Sequence, residues 1–469
     1  MSAIIQEAKF TCALGAQQSV LGIPGAVPVI HAGPGCSQRQ FTYLANGSGY
    51  QGEGYAGGGQ IACTNSSQSE VVFGGEKKLA KLLDGAFKVM KADLFVVLAG
   101  CTAGIVGDDV KQVAIDHSTL EHPAIGVDTS GFRGNNYKGH NIVIEGIIDQ
   151  LLEGAEVNVR KGLVNVFSVV PNQNPYWRGD LEEIKRILTG IGLEVNILFG
   201  YGSEGLSEWR DIPNAQLNIV LSPWVGLGAA KLLEKRFKTP YLHWPVLPVG
   251  LKDTSEFLRK VAETLELDPN VTERFILSEE KRYKRYFVSL GDVFSDYAAY
   301  LPYDLYVIDD SAYGLGVARF CTRELGMIPQ AFYDIDVPTE DAKKLIEENL
   351  QDLDPEWKGR VIAEPDNAII RDLIRQRLNI RQTKSLIVGS SWDKKLARES
   401  DNILIYHSVP VTDGVILNKT YVGYNGGLRL MEDIYTGVFD KHPVSNLTHG
   451  ETERERSAAK AAVSGSGNG

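Results

Sequence analysis

Leu94-Phe-Val-Val-Leu-Ala-Gly-Cys-Thr-Ala-Gly-Ile-Val-Gly-Asp-Asp109 is the stretch on which the fold turns. Six apolar residues in succession, Leu94 to Ala99, predict a strand covered by helices on both faces, because a half-exposed strand would alternate apolar with polar. Gly100 closes the run, and Cys101 follows at once. In open α/β sheets ligands sit in the crevice outside the carboxyl ends of strands, so Cys101 stands where chemistry is expected.

The same design recurs in both directions. Upstream, Ala26 to His31 is a second candidate strand, followed by Ala-Gly-Pro-Gly-Cys36. Downstream, candidates are Val164 to Val170, Val195 to Phe199, Asn218 to Leu221, Tyr286 to Leu290, Leu305 to Ile308, Arg360 to Ala363, Ser385 to Val388 and Ile403 to Tyr406. Helix-period segments lie between them. One runs from Asp180 to Leu188 and stops at Gly190 and Gly192; others open at Thr254 and Thr339. Strands alternating with helices imply βαβ units, hence an α/β fold of mostly parallel sheets. The strands fall into three sets, which predict Rossmann-like domains over 1–160, 161–280 and 281–445, separated by polar breaks at Gly154 to Gly162 and Ser278 to Lys284. A chain of 469 residues is long enough for three. Residues 446–469, charged and then small and polar, are expected to form a disordered tail.

Composition excludes several functions. A net charge of −11 argues against nucleic acid as partner, since a phosphate backbone needs a basic surface. No apolar run approaches the ~18 residues of a membrane span, and Met1 to Phe10 lacks a signal-peptide core, so the cytoplasm is the expected location. There is no G-x-x-x-x-G-K-[ST] loop, so the chain itself is not expected to hydrolyse ATP. Neither an H-E-x-x-H pattern nor a G-x-S-x-G elbow occurs. Tyr313-Gly-Leu-Gly carries part of a dinucleotide fingerprint, but close strand–helix packing explains its glycines better.

Five cysteines, an odd count without C-x-x-C, do not make a disulfide framework. Cys12, Cys36 and Cys101 each have glycine nearby, which lets backbone approach a bulky inorganic group. Thiolates are the usual ligands of iron–sulfur clusters, and three from one chain are one short of a self-contained site, so a second chain would complete it. By spacing alone, three buried free thiols fit as well. Cys63 and Cys321 read as ordinary cysteines, and His31 as a residue that orders its loop.

Thr11-Cys-Ala-Leu-Gly-Ala, Ile23-Pro-Gly-Ala-Val, His31-Ala-Gly-Pro-Gly-Cys, Val72-Phe-Gly-Gly and Gly100-Cys-Thr-Ala-Gly-Ile-Val-Gly-Asp-Asp resemble, in order, the cluster-binding half of nitrogenase component 1 subunits. The resemblance extends more weakly to about residue 440. It implies three Rossmann-like domains of the nitrogenase component 1 type and an α2β2 complex with an α subunit. It also implies a P-cluster-type iron–sulfur cluster (8Fe–7S or related) at the α–β interface, with Cys12, Cys36 and Cys101 as this chain's metal ligands. A homodimeric, ATP-hydrolysing iron–sulfur reductase would supply electrons, passed on to an active-site metallocluster in the α subunit.

The β pattern fits better than the α. Where α subunits place a cofactor-binding cysteine after a mid-chain strand, this chain has Leu217-Asn-Ile-Val-Leu-Ser-Pro-Trp, and the late segment from Val409 to Gly427 has no histidine. Pro223-Trp224 and Gly423-Tyr424 resemble β subunits, whereas Gly131-Phe-Arg-Gly and Gly139-His140 resemble α subunits. Ser130 lies near the position where β subunits supply a hydroxyl to the oxidised cluster; a turn serine is the simpler reading. The loop from Asn46 to Gly59 departs from nitrogen-fixing β subunits, and the chain looks closer to methylthio-alkane reductases, which cleave carbon–sulfur bonds and release methanethiol. A nitrogenase reducing dinitrogen, a non-catalytic cofactor-assembly scaffold and a cluster-free Rossmann-like binding protein are the alternatives.

Overall fold

A computed structural model describes residues 4–49, 61–380 and 383–441. The expected tail and most of the glycine-rich loop after Gly49 lie outside the described residues.

Among the described residues, thirteen strands form three parallel sheets. The first contains β1 (Ala26–His31), β2 (Ala62–Cys63), β3 (Leu94–Ala99) and β4 (Ala124–Asp128) in the order β2-β1-β3-β4. The second contains β5 (Arg160–Phe167), β6 (Glu194–Asn196), β7 (Ala215–Val220) and β8 (Tyr241–His243) in the order β6-β5-β7-β8. The third contains β9 (Asp304–Asp309), β10 (Ile328–Asp334), β11 (Val361–Ala363), β12 (Ser385–Gly389) and β13 (Ile403–Tyr406) in the order β11-β10-β9-β12-β13. In each sheet the first strand has neighbours on both sides, so the chain reverses direction across the sheet beside it. Such a reversal leaves a crevice at the carboxyl ends.

β1 and β3 are buried along their whole length; β3 is apolar throughout, and β1 is apolar up to its last residue, His31. They pair in register from Ala26–Leu94 to His31–Ala99. Both strands end where the sequence places them, and so does β13; the others shift by a few residues. Thr339 caps its helix, accepting the Ala342 N–H at 3.3 Å, whereas the helix expected from Thr254 begins a turn earlier, at Gly250.

Tyr286 to Leu290 is not a strand. Asp268 caps a helix that opens with Pro269 and runs to Val288, so Tyr286-Phe-Val is its last turn. The ion pairs Lys284–Glu280 and Arg282–Glu279 brace it at helical spacing. The polar stretch Ser278 to Lys284, read as a break, therefore lies in mid-helix. Strands β2, β4, β8 and β10 escaped the sequence reading; β10 carries Pro329, which demotes a strand by rule, and a register shift between Pro329 and Ala331 accommodates it.

Two segments tie the units together. The helix Gly423–Lys441 packs on the helix Gly250–Thr264 of the second unit and on β13 of the third. At the other end of the chain, the segment from Gln6 to Phe10 runs across the third unit: Gln6 N–H donates to Asp366 Oδ2 at 2.7 Å, Glu7 pairs with Arg371, and the fully buried Lys9 meets the fully buried Asp393 at 2.8 Å. Two residues beyond Phe10 stands Cys12.

His140, on the helix Asn136–Leu151, is buried with Nδ1 2.8 Å from Ser19 Oγ. Burial pushes its pKa down to about 3. The unfolded chain binds a proton there near pH 6.5 and the folded chain refuses it, so stability is full above 6.5 and falls as pH drops from 6.5 toward 3. The slope from this one group is at most ~1.4 kcal/mol per pH unit. Urea midpoints measured against pH should flatten over that window in His140→Asn.

Candidate functional site

Cys36 and Cys101 flank the reversal point of the first sheet. β1 ends at His31, and Gly33 leads into the helix Pro34–Gly47, which carries Cys36 at its third position. β3 ends at Ala99, and Gly100 leads into the helix Cys101–Val106, with Cys101 first. The two loops are locked together: Gly100 N–H donates to His31 O at 3.0 Å, and a Cβ on Gly100 would sit 2.5 Å from the Ala32 methyl carbon.

Cys12 arrives from the strap on the third unit. It makes an isolated bridge to Asn135, and Ala13 N–H donates to Gly134 O at 2.9 Å. Thr11 and Asn136 also exchange bonds: Thr11 N–H to Asn136 Oδ1 and Asn136 N–H to Thr11 O, both at 2.9 Å. The Gly131–Asn135 turn thus holds Cys12 on one side. On the other, Gly131 N–H donates to Cys101 Sγ at 3.2 Å. A Cβ on Gly131 would lie 3.1 Å from that sulfur and 3.5 Å from Cys12 Cβ, crowding Cys101 and touching Cys12.

The thiols are electrostatic neighbours. Burial raises the Cys12 pKa most, and Cys101 and Cys36 add to it; burial also leads for Cys36, followed by Cys101 and Cys63, with Arg39 pulling the other way. Thiolates that repel one another in this way are stabilised together by a cationic metal core. Among the described residues, no three His, Cys, Asp or Glu side chains close on a single ion. An iron–sulfur cluster makes a different demand, because each thiolate binds a separate corner iron. Three thiols around one crevice, with a backbone N–H aimed at a sulfur, fit that demand.

Ser130 is buried directly before Gly131. Its N–H donates to Asp128 Oδ1 at 3.0 Å, so the residue serves the turn. His31 orders its loop: Nδ1 lies 3.1 Å from Thr64 Oγ1 and Nε2 2.8 Å from Asp108 Oδ2, and Asp108 also accepts the Gly75 N–H. The Asp of Gly107-Asp-Asp, quoted above only as part of a motif, is thus the anchor of that histidine. Cys321 is wholly buried in the helix Ser311–Arg323. Gly314 and Gly316 on the same helix permit close packing, since added Cβ atoms would lie 2.2 Å from Phe332 and 2.5 Å from Leu247 O.

A cleft of roughly 1050 Å³ opens beside Cys12, with Gly131, Asn135, Arg39, Arg371 and Lys395 in its walls. Near Cys101 the surface is apolar. The short helices Gln68–Phe73 and Cys101–Val106 pack on each other and present Val72, Phe73 and Ile105 at 69, 85 and 69% exposure. No described helix is long and apolar enough to cross a membrane.

Gly139 faces the cysteine loop so closely that a Cβ would lie 2.1 Å from Ala13 O. Gly139→Ala must therefore displace Ala13, at a cost of about 1–3 kcal/mol. Its melting temperature should fall, and iron bound per chain should fall with it; an unchanged iron content would show that the Cys12 loop tolerates the shift.

Residues 11–439 match the family model described as nitrogenase component 1 type oxidoreductase. The chain belongs to that family. Within it the chain is of the β type: it is 26% identical to the nitrogenase molybdenum-iron protein beta chain of Methanococcus maripaludis over 92% of this chain and 93% of that one. It is also 24% identical to the nitrogenase vanadium-iron protein beta chain of Trichormus variabilis, with the same two coverages. The nitrogenase molybdenum-iron protein alpha chain of Methanosarcina barkeri matches at 28%, over 58% of this chain and half of its own length. The solved structure named nitrogenase Cp1 at pH 6.5 superposes with a TM-score of 0.77 over 96% of this chain and 98% of that one, at 19% identity, which bears out the three-sheet fold.

Proposed function

We propose that this chain is the β-type subunit of a nitrogenase-like reductase that relays electrons to a metallocluster in an α partner and supports reductive cleavage of methylthio-alkanes to methanethiol. The observation that carries the reading is the convergence of Cys12, Cys36 and Cys101 at one reversal point, with Gly131 N–H donating to Cys101 Sγ at 3.2 Å. These three cysteines hold this chain's side of a P-cluster-type cluster. When bound there, such a cluster supplies one-electron storage at a potential set by burial, charge and hydrogen bonds to sulfur. The Gly131 N–H stabilises negative charge on Cys101, and Arg39 favours the thiolate of Cys36. The open cleft beside Cys12 is the face an α subunit closes in an α–β complex, which excludes water from the thiolates. The apolar surface of Val72, Phe73 and Ile105 lies on the two helices packed beside Cys101, where a separate ATP-hydrolysing iron–sulfur reductase would dock within short reach.

After β7 this chain carries Ser222 where a thiolate would anchor a cofactor. Ser222 is buried and its hydroxyl accepts the Val225 N–H at 3.1 Å, while Trp224 packs toward Tyr137 and donates Nε1–H to Asp336 Oδ2 at 3.0 Å. These engaged side chains support a reading in which the catalytic metallocluster is held by the partner.

The relatives' names favour a second reading, dinitrogen reduction. A headspace assay separates the two. The anaerobic complex, with its reductase and ATP, is offered 2-(methylthio)ethanol. Methanethiol and ethylene formed together, and only with ATP and reductase present, support sulfide cleavage. Iron-replete complex that yields neither product but forms ammonia under dinitrogen overturns it.

A further inference from the structure

Cys63 stands apart from the three cysteines above in sequence, yet the sheet brings it to them. β2 is two residues long and pairs with β1, placing Cys63 beside Ile30. From there the chain stays on the β1 loop: Thr64 N–H donates to Ile30 O and Ser66 N–H to Ala32 O, each at 2.9 Å. Cys63 Sγ lies 3.7 Å from Ala32 O, at the base of the Ala32–Cys36 loop. It is half-buried rather than sealed. The Asn65 N–H points at its sulfur from 3.4 Å, the same kind of donor that Gly131 gives Cys101. Lys78 Nζ, bonded to Asn65 O at 2.9 Å and ion-paired with Glu70 at 3.2 Å, braces this turn. Along the sheet the cysteines follow the strand order: Cys63 at the end of β2, Cys36 after β1 and Cys101 after β3, with Cys12 across the crevice.

We infer that Cys63 is a fourth iron ligand, completing with Cys12, Cys36 and Cys101 a four-thiolate site on which this chain alone can hold a four-iron cluster before its partner docks. The inference rests on the cluster-binding reading above and extends it to the unpartnered chain. Four cysteines are the standard ligand set of a four-iron, four-sulfur cluster, and the three-cysteine set falls one short. Ligation is an exchange without redox change: the Cys63 S–H bond breaks, its sulfur bonds to a corner iron, and the proton leaves with the displaced ligand. Cys321 serves as the contrast. It is fully buried in an apolar helix, and burial raises its thiol pKa far from the thiolate that iron requires.

The test uses the full-length chain, expressed without partner and treated anaerobically with a synthetic four-iron cluster capped by four simple thiolates. Each protein cysteine that binds releases one capping thiol, so wild type should bind about four irons and release four thiols per chain. Cys63→Ser, nearly isosteric, should release three and show an altered electron paramagnetic resonance spectrum after reduction; Cys63→Ala should do the same, and Cys321→Ser should match wild type. Three thiols released by wild type and Cys63→Ser alike would overturn the fourth-ligand assignment while leaving the three-cysteine reading intact. A wild-type chain that takes up no cluster would overturn the self-sufficient site, and the iron content of the assembled complex would then judge the three-cysteine reading separately.

Discussion

Cys101→Ala, introduced into the assembled complex, should strip or remodel the cluster and lower electron relay by more than the ~100-fold that loss of an outer-shell partner causes in metal sites. Cys101 is the first residue of its helix, at the end of a fully buried strand, and its sulfur receives the Gly131 N–H. The adjacent Ser130 is tied to Asp128 through its N–H at 3.0 Å. The substitution removes one half-buried sulfur atom and should cost the fold little, about 1 kcal/mol. Iron content and product formation should therefore collapse while circular dichroism and heterodimer formation persist. A variant with full iron and full activity would refute the ligand assignment outright.

Lys9→Met should be the most destabilising change remote from the thiols. Lys9 and Asp393 are both fully buried and 2.8 Å apart, and Asp393 also accepts from Ser390 and Asn367. Truncating one partner strands a buried charge, which typically costs about 3–5 kcal/mol. Lys9→Met with Asp393→Leu removes both charges and should recover most of the loss. Burial opposes ionisation of Asp393, but Lys9 and the Ser390 N–H outweigh it and hold the carboxyl below the usual carboxylate range. Its contribution is thus fully present above the unfolded pKa, near 4, and is lost as pH falls through the lower folded value. Denaturant midpoints across that acid range should decline in the native protein and much less in the double variant. A single variant as stable as wild type would mean that the strap contributes nothing to folding.

The parts of this molecule legible in its sequence are those governed by local rules. β3 was readable to the residue because an unbroken apolar run closed by Gly100 admits few other structures, and β1 because the apolar run from Ala26 to Ile30 opens after Gly25 and closes at His31. The positions of Cys36 and Cys101, just past the carboxyl ends of these strands, were readable along with the strands themselves. Tyr286 to Leu290 misled because three β-favouring residues form the end of a helix fixed far upstream, at Asp268-Pro269. β2 was invisible: two residues carry no periodicity, and only pairing with β1 makes them a strand. The setting of Cys63 was hidden for the same reason, since Ala32, which its sulfur approaches, lies 31 residues back in another loop. The strap was equally hidden, because Lys9–Asp393 joins positions 384 apart, and nothing near Lys9 announces a buried partner.

That separation bears on the order in which the molecule is made. A ribosome releases residues near 10 long before those near 393, at ~5–20 residues per second. Thr11 and Ala13 take their partners from residues 134–136, so a nascent chain can seat the Cys12 loop together with its first sheet. The strap just before it, from Gln6 to Lys9, keeps its polar groups without their partners until Asp366, Arg371 and Asp393 have emerged. The amino-terminal strap is thus made first and fastened last.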